Sequence, residues 1–133
     1  MTTRLDHMIL SVNDRAASID FYTRILGLTH EGDRAPLSTI RVTPDFTLEL
    51  GAWGTQGGQH LAFAMSRAEF DAVFARIREA GIEYGDAFDA VGSMRGPGRA
   101  EGAHGLGAAL YFYDPNRHLI EIRHYERETT STR

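Results

Sequence analysis

Two histidines and two glutamates occur at matched places along the chain. His7 and His60 each open a short run of alternating apolar and polar residues, and Glu49 and Glu121 each lie in a later run of the same kind. Such alternation predicts half-buried β-strands, in which successive side chains point to opposite faces of a sheet. Neutral imidazole and carboxylate together form a donor set for a divalent metal ion. The pattern therefore predicts metal-dependent chemistry.

Strand parity places the four side chains on the same kind of surface. Each of the four is followed by an apolar residue of opposite parity, and those apolar side chains should cover a helix. His7, His60, Glu49 and Glu121 then lie on the concave face of their sheets, turned away from the helices. Because a cluster of carboxylates is costly there without a cation, we expect a metal held by His7, His60 and Glu121. Glu49 is the candidate fourth ligand.

The elements that must position these residues repeat along the chain. Each half has the pattern of a strand, a helix and three further strands, and a shift of 52 residues brings Arg15-Ala16 onto Arg67-Ala68. The sequence predicts one α+β domain made of two βαβββ modules. The modules span about residues 4–52 and 58–126, and residues 127–133 form a polar tail.

Composition narrows the chemistry that such a site could perform. A chain of 133 residues, 42% of them hydrophobic, is large enough to bury the core of one domain. The absence of cysteine excludes disulfides and thiolate ligands, and the absence of lysine excludes a Schiff base. A net charge of −4 disfavours nucleic acid as a partner. We expect no membrane segment and no signal peptide, and therefore a cytoplasmic protein.

The chain resembles the vicinal oxygen chelate superfamily, which includes glyoxalase I, extradiol ring-cleaving dioxygenases, and fosfomycin- and bleomycin-resistance proteins. The similarity is carried by Leu5-Asp-His7, Ser18-Ile-Asp-Phe-Tyr22, His60-Leu-Ala-Phe63 and Asp114-Pro115…Leu119-Ile-Glu121. It implies paired modules whose curled mixed sheets enclose a metal-site cavity. It further implies a small substrate that chelates the metal through neighbouring oxygens, and a homodimer.

Two motifs are similar to different branches of that superfamily. Gly102-Ala-His104, followed by Leu110-Tyr111, resembles the extradiol signature, in which His104 and Tyr111 would flank a catecholate bound to Fe(II). Glu49, in Leu48-Glu-Leu-Gly-Ala-Trp53, is similar to the extra carboxylate ligand of glyoxalase I, which would take part in proton transfer.

We favour Fe(II)-dependent ring cleavage of a catechol-like substrate. A glyoxalase I-like lyase or isomerase that uses Ni, Co, Zn or Mn is the alternative. A metal-free protein that binds a drug or natural product is a further alternative. Fosfomycin-type addition ranks lower, because no phosphonate cradle of Lys, Ser and Tyr stands out.

The glycine-rich segment Asp86–Gly107 is expected to be a long loop. Loops of this length in a compact domain are often functional lids, although a plain surface loop fits equally well. As a lid, the segment would bring Arg95 or Arg99 to an anionic group of the substrate. Tyr111 is a third residue expected to bind the substrate. His118 is expected at the surface.

Overall fold

The computed structural model of the chain describes residues 2–126, which fall into two units. The first unit comprises the residues up to Gly57 together with Pro115–Arg117, and the second comprises Gly58–Asp114 and the residues from His118 onward. The predicted polar tail, 127–133, lies outside the described residues. None of the helices between residues 2 and 126 has the length and apolar character needed to cross a membrane.

The first unit is built on a four-stranded mixed sheet with the order β1-β4-β3-β2. Its strands are β1 (His7–Ser11), β2 (Thr29–Arg34), β3 (Leu37–Thr43) and β4 (Phe46–Gly51). The pairing of β1 with β4 is parallel, whereas β3 pairs antiparallel with both of its neighbours. Helix α1 (Arg15–Asp20) begins at Asp14, whose carboxylate accepts a hydrogen bond from the Ala17 amide, and it contacts β3 and β4. It continues into a π-helical turn, Phe21–Ile25.

The second unit repeats this plan with one addition. Its sheet has the order β5-β9-β8-β6, and β7 also pairs with β8. Its strands are β5 (His60–Ala64), β6 (Tyr84–Gly85), β7 (Gly98–Gly102), β8 (Gly105–Tyr113) and β9 (Leu119–Tyr125). Helix α2 (Arg67–Glu79) contacts β9 and begins with a capping box formed by Ser66 and Glu69.

Alternation along the strands gives each sheet one apolar face. Leu48 and Leu50 of β4 are fully buried, as are Ile120 and Ile122 of β9. Because successive side chains point in opposite directions, the residues between them lie on the other face. The predicted fold class, a small α+β protein with two mixed sheets, is confirmed.

The segment Asp86–Gly107 is not one continuous loop, contrary to expectation. Its second half is a hairpin in which β7 pairs antiparallel with the beginning of β8, from Gly98 opposite Ala109 to Gly102 opposite Gly105. The high glycine content of the segment hid this strand, because glycine is depleted in strands in general.

His118 is buried, although the sequence places it at the surface. Only 1% of the residue is exposed, and its Nδ1 accepts a hydrogen bond from the Gln59 amide at 3.2 Å. The His118 amide in turn donates to Asp114 Oδ1 at 2.9 Å. This histidine therefore stabilises the connections that lead into β5 and β9.

Candidate functional site

In the first unit, His7 and Glu49 lie on adjacent parallel strands and on the same face of the sheet. The register partner of Glu49 is Ile9, so His7 lies two residues before that partner. Glu49 is only 7% exposed. Its Oε1 accepts a hydrogen bond from Thr39 Oγ1 and its Oε2 accepts one from Thr47 Oγ1, each at 2.7 Å. The carboxylate is thus fixed by two neutral donors.

The imidazole of His7 is half-exposed and oriented by its neighbour. Its Nδ1 lies 2.7 Å from Asp6 Oδ2, which leaves Nε2 as the nitrogen open to another partner. A carboxylate on the far ring nitrogen is the arrangement that orients histidines toward metal ions. An open cleft of about 560 Å³ is lined by His7 and Glu49 and also by Leu37 and Arg34.

In the second unit, His60 and Glu121 occupy the same relative positions. The register partner of Glu121 is Ala62, and His60 lies two residues before it. His60 is half-exposed, and its Nε2 lies 3.0 Å from Glu121 Oε1. Two ligand atoms at right angles on a metal with bonds of about 2.1 Å would also be about 3.0 Å apart. The contact is a hydrogen bond in this structure, and its length is also compatible with two adjacent ligands of one metal ion.

Glu121 has a buried counter-charge. Its Oε2 accepts a hydrogen bond from Arg123 Nη1 at 2.6 Å, and Arg123 is only 2% exposed. The same guanidinium donates to the carbonyl of Ala100 at 2.8 Å and to that of Gly105 at 3.4 Å. Arg123 thus connects Glu121 to the hairpin formed by β7 and β8. One carboxylate oxygen faces the arginine and the other faces His60.

Tyr111 is the register partner of Glu121 on β8. Burial, followed by the nearby charge of Glu121, raises the pKa of the Tyr111 phenol above its ordinary value of 10.0, although Arg123 opposes the shift. The phenol therefore stays protonated at neutral pH and donates a hydrogen bond to the Glu121 carboxylate. The ring of His60 lies edge-on to Tyr111, with 6.2 Å between the ring centroids.

The structure does not bring His104 to Tyr111. His104 lies at the turn between β7 and β8, where its amide donates to Tyr125 Oη at 3.3 Å and its ring packs edge-on against Tyr125. Tyr111 lies six residues beyond Gly105, which corresponds to about 20 Å along a strand. Within the second unit, His104 and Tyr111 therefore do not lie beside one another, as their predicted positions on either side of a substrate would require.

Arg95 and Arg99 each have a carboxylate partner at the surface. Arg95 Nε lies 3.8 Å from Asp86 Oδ2, and Arg99 Nε lies 2.7 Å from Glu126 Oε2. Both side chains are largely exposed. Arg99 lies on β7 rather than in a loop. Their contact with a substrate remains a prediction.

Sequence reasoning missed four residues that hold the donors in place: Asp6, Thr39, Thr47 and Arg123. Thr47 and Arg123 could have been found by parity, because each lies two residues from a candidate glutamate and hence on its face. Thr39 could not, because only the register of β3 against β4 places it opposite Glu49.

Each unit thus presents one His–Glu pair. Among residues 2–126, no group of three or more histidine, aspartate or glutamate side chains is arranged so that it could hold a metal ion. A metal site that uses the four predicted ligands is therefore a proposal.

Comparison with known proteins gives consistent matches over nearly the whole chain. The model of the Glyoxalase/Bleomycin resistance protein/Dioxygenase superfamily matches residues 4–122. The metallothiol transferase FosB of Shouchella clausii is 26% identical, over 96% of this chain and 90% of that protein. Virulence protein STM3117 of Salmonella typhimurium is 30% identical, over 92% of this chain and 84% of that protein. The structure of the oxidase ChaP-H2 is similar with a TM-score of 0.79 and 31% identity, covering 99% of this chain and 100% of the other.

Proposed function

Because the chain belongs to the glyoxalase/bleomycin resistance protein/dioxygenase superfamily, we propose that it is a divalent-metal enzyme that opens the ring of a catechol-like substrate with dioxygen. The proposed ligands are His7, His60 and Glu121, with Glu49 as the fourth, and Fe(II) is the favoured metal. The observation that carries the proposal is the repeated pair: in each unit a half-exposed histidine lies two residues before the register partner of a buried glutamate.

The donor atoms suit such an ion. His7 has Nε2 open because Nδ1 is held by Asp6, and Glu121 directs one oxygen toward His60 while Arg123 holds the other. When bound, a divalent metal would act as a Lewis acid that binds both substrate oxygens and favours their deprotonation.

The side chains around Glu121 define what the protein itself contributes. Tyr111 stays protonated and holds its proton at Oη, directed at the Glu121 carboxylate. If the hydroxyl rotates away from Glu121, its one proton can be donated instead to a negatively charged substrate oxygen at neutral pH. Arg123 and Tyr111 are almost completely buried, so they can hold Glu121 in one orientation with little competition from water.

The relatives support an oxidative, metal-dependent reaction. ChaP-H2 is named an oxidase and matches this chain over its full length at 31% identity. FosB is named a metallothiol transferase. Applied to this chain, the first name favours oxidation and the second favours a bound metal.

Metal analysis and oxygen uptake test the proposal together. Protein purified without chelators from metal-replete cells should contain stoichiometric metal, and the Fe(II)-loaded protein should consume oxygen when catechol is added. His60→Ala and Glu121→Ala should remove both properties. His30→Ala is the matched control, because His30 lies on β2 and pairs with Asp33 at 2.8 Å. Protein that never retains metal would overturn the proposal.

A glyoxalase I-like isomerisation is the second candidate, and the setting of Glu49 favours it. A buried carboxylate fixed by two threonines could move a proton between two carbon atoms of a substrate. Nickel- or zinc-loaded protein would then isomerise a hemithioacetal, and Glu49→Gln would abolish that activity. Activity with Fe(II), catechol and oxygen only would exclude this candidate.

We also propose that the enzyme is a homodimer that acts on a small chelating molecule. The resemblance to the superfamily supports this assembly. Light scattering on the metal-loaded protein should give twice the chain mass, and a monomer at all concentrations would contradict the proposal.

A further inference from the structure

The single tryptophan of the chain covers a glycine on the face that carries Glu49. A Cβ built on Gly51 would lie 2.3, 2.4 and 2.7 Å from three adjacent carbons of the Trp53 ring. Three such similar distances place that Cβ over the face of the ring and not at its edge. The ring can therefore lie against β4 only because Gly51 has no side chain.

A hydrogen bond fixes the indole in this position. Trp53 Nε1 donates to Ser11 Oγ at 2.8 Å, and Ser11 is the register partner of Gly51. The indole thus spans β1 and β4, with its one polar group satisfied. A side chain that is already held in place loses little conformational freedom when a ligand stacks on it.

Much of the indole remains accessible. Trp53 is 54% exposed, and Ile9, which lies on the same face between His7 and Ser11, is 49% exposed. Exposed apolar side chains grouped beside polar donors mark binding surfaces more often than scattered ones do. The structure thus packs one face of the Trp53 ring against Gly51 and leaves about half of the residue exposed.

The neighbouring cleft reaches the strand beside this position. Glu49 and Leu37 both line the cleft of about 560 Å³, and Leu37 is the register partner of Gly51 on β3. Gly51 lies two residues beyond Glu49 on β4, which is about 7 Å along a strand. That distance exceeds the span of the six carbon atoms of one benzene ring.

We infer that Trp53 is a stacking platform for the flat, fused-ring part of a substrate whose oxygen-bearing end reaches Glu49. This inference rests on the proposed function only for the position of the oxygen-bearing end. A single-ring catechol held at Glu49 would not reach the indole, whereas a bicyclic or larger aromatic would. Trp53 therefore favours substrates with two or more fused rings over single-ring substrates.

Fluorescence titration tests the platform directly, because Trp53 is the only tryptophan in the chain. Titration of metal-free protein and of zinc-loaded protein with 2,3-dihydroxynaphthalene should quench the tryptophan emission, and catechol should quench it much less. Calorimetry should show that the naphthalenediol binds more tightly than catechol. In Trp53→Ala this preference should fall by about three- to tenfold, the usual contribution of aromatic stacking.

Two control variants separate stacking from general effects. Trp53→Phe should retain part of the preference, because a smaller ring remains. Phe88→Ala should retain all of it, because Phe88 is an exposed aromatic of the second unit. Circular dichroism of each variant checks that it is folded.

Two results would overturn the inference. One is an unchanged preference in folded Trp53→Ala. The other is a blue shift of the emission with protein concentration in the absence of ligand, because a second copy of the chain would then cover the indole. The metal affinity of the parent chain is measured separately, without any aromatic compound. A parent chain that binds no metal would contradict the proposed function, whereas the preference for the naphthalenediol over catechol tests the platform alone.

Discussion

The two units hold their glutamates in different electrostatic settings. Glu49 accepts hydrogen bonds from the neutral hydroxyls of Thr39 and Thr47, whereas Glu121 contacts the guanidinium of Arg123 and the phenol of Tyr111. The strand register is the same in both units, so the difference arises entirely from which side chains share the face. The same backbone geometry thus places one carboxylate beside neutral partners and the other beside a cation.

Residues at equivalent positions show where the units diverge. Opposite the glutamate on the neighbouring strand is Thr39 in the first unit and Tyr111 in the second. Two residues after the glutamate is Gly51 in the first unit and Arg123 in the second. Consequently Glu49 is held by hydroxyl groups beside a partly exposed indole, and Glu121 is held by a buried cation.

The largest expected effect is a difference in folding stability between variants of the two glutamates. Glu121→Gln leaves Arg123 buried without a counter-charge, so we expect a loss of about 3 kcal/mol. Glu49→Gln still bonds to its threonines and should cost about 1 kcal/mol or less. Urea unfolding of metal-free protein measures both values. Adding Arg123→Met to Glu121→Gln should recover most of the loss, and equal costs for the two glutamates would contradict the comparison.

Glycines in the two units should differ in their tolerance of a methyl group. A Cβ on Gly102 would lie 2.5 Å from Arg123 Cζ and 2.6 Å from Tyr125 Oη, so Gly102→Ala should cost about 1–3 kcal/mol. Gly51→Ala displaces the exposed ring of Trp53, which can move into solvent, and should cost less than about 1 kcal/mol. Thermal unfolding checks the order, and the tryptophan emission should shift only in Gly51→Ala.

The orientation of the histidines should matter in the first unit alone. Asp6→Ala frees the Nδ1 of His7 and should weaken metal binding by about tenfold. Gln59→Ala, at the equivalent position before His60, should leave the affinity unchanged. Competition with a metal-binding dye measures both. Equal losses would show that the residue before each histidine acts through general packing and that Asp6 does not act by orienting the ring.

The smallest expected effect concerns the ionisation of Tyr111 at high pH. In the first unit the equivalent residue opposite the glutamate is Thr39, which does not ionise. Because its pKa is raised in the folded state, the stability contributed by the protonated phenol is present below pH 10.0 and is lost as the pH rises through the raised pKa. The difference in unfolding free energy between the parent chain and Tyr111→Phe should therefore shrink above pH 10.0. Absorbance at high pH should show one tyrosine ionising late in the parent chain only.

Much of the fold follows from local pattern. The family resemblance read from the motifs is confirmed, and so is the α+β class. The capping box at Ser66 and the alternating strand Phe46–Gly51 are local features of the same kind. Parity also placed Glu49 and Glu121 opposite the buried leucines and isoleucines. These features depend on residues close in sequence, so a single chain is enough to recognise them.

The features that sequence reasoning missed depend on distant residues. The hairpin of β7 and β8 depends on pairing that local propensity disfavours, and the burial of His118 depends on a hydrogen bond from Gln59. His104 and Tyr111 appear in one motif, yet the length of β8 separates them.

The sequence by itself determined the four candidate donors and the face on which each lies, because strand periodicity is a local property. Only the tertiary structure decided their surroundings: the threonines at Glu49, the arginine and tyrosine at Glu121, and the indole over Gly51. Strand register brings these partners together from positions far apart in the chain, and their charge and burial then set how each donor can react.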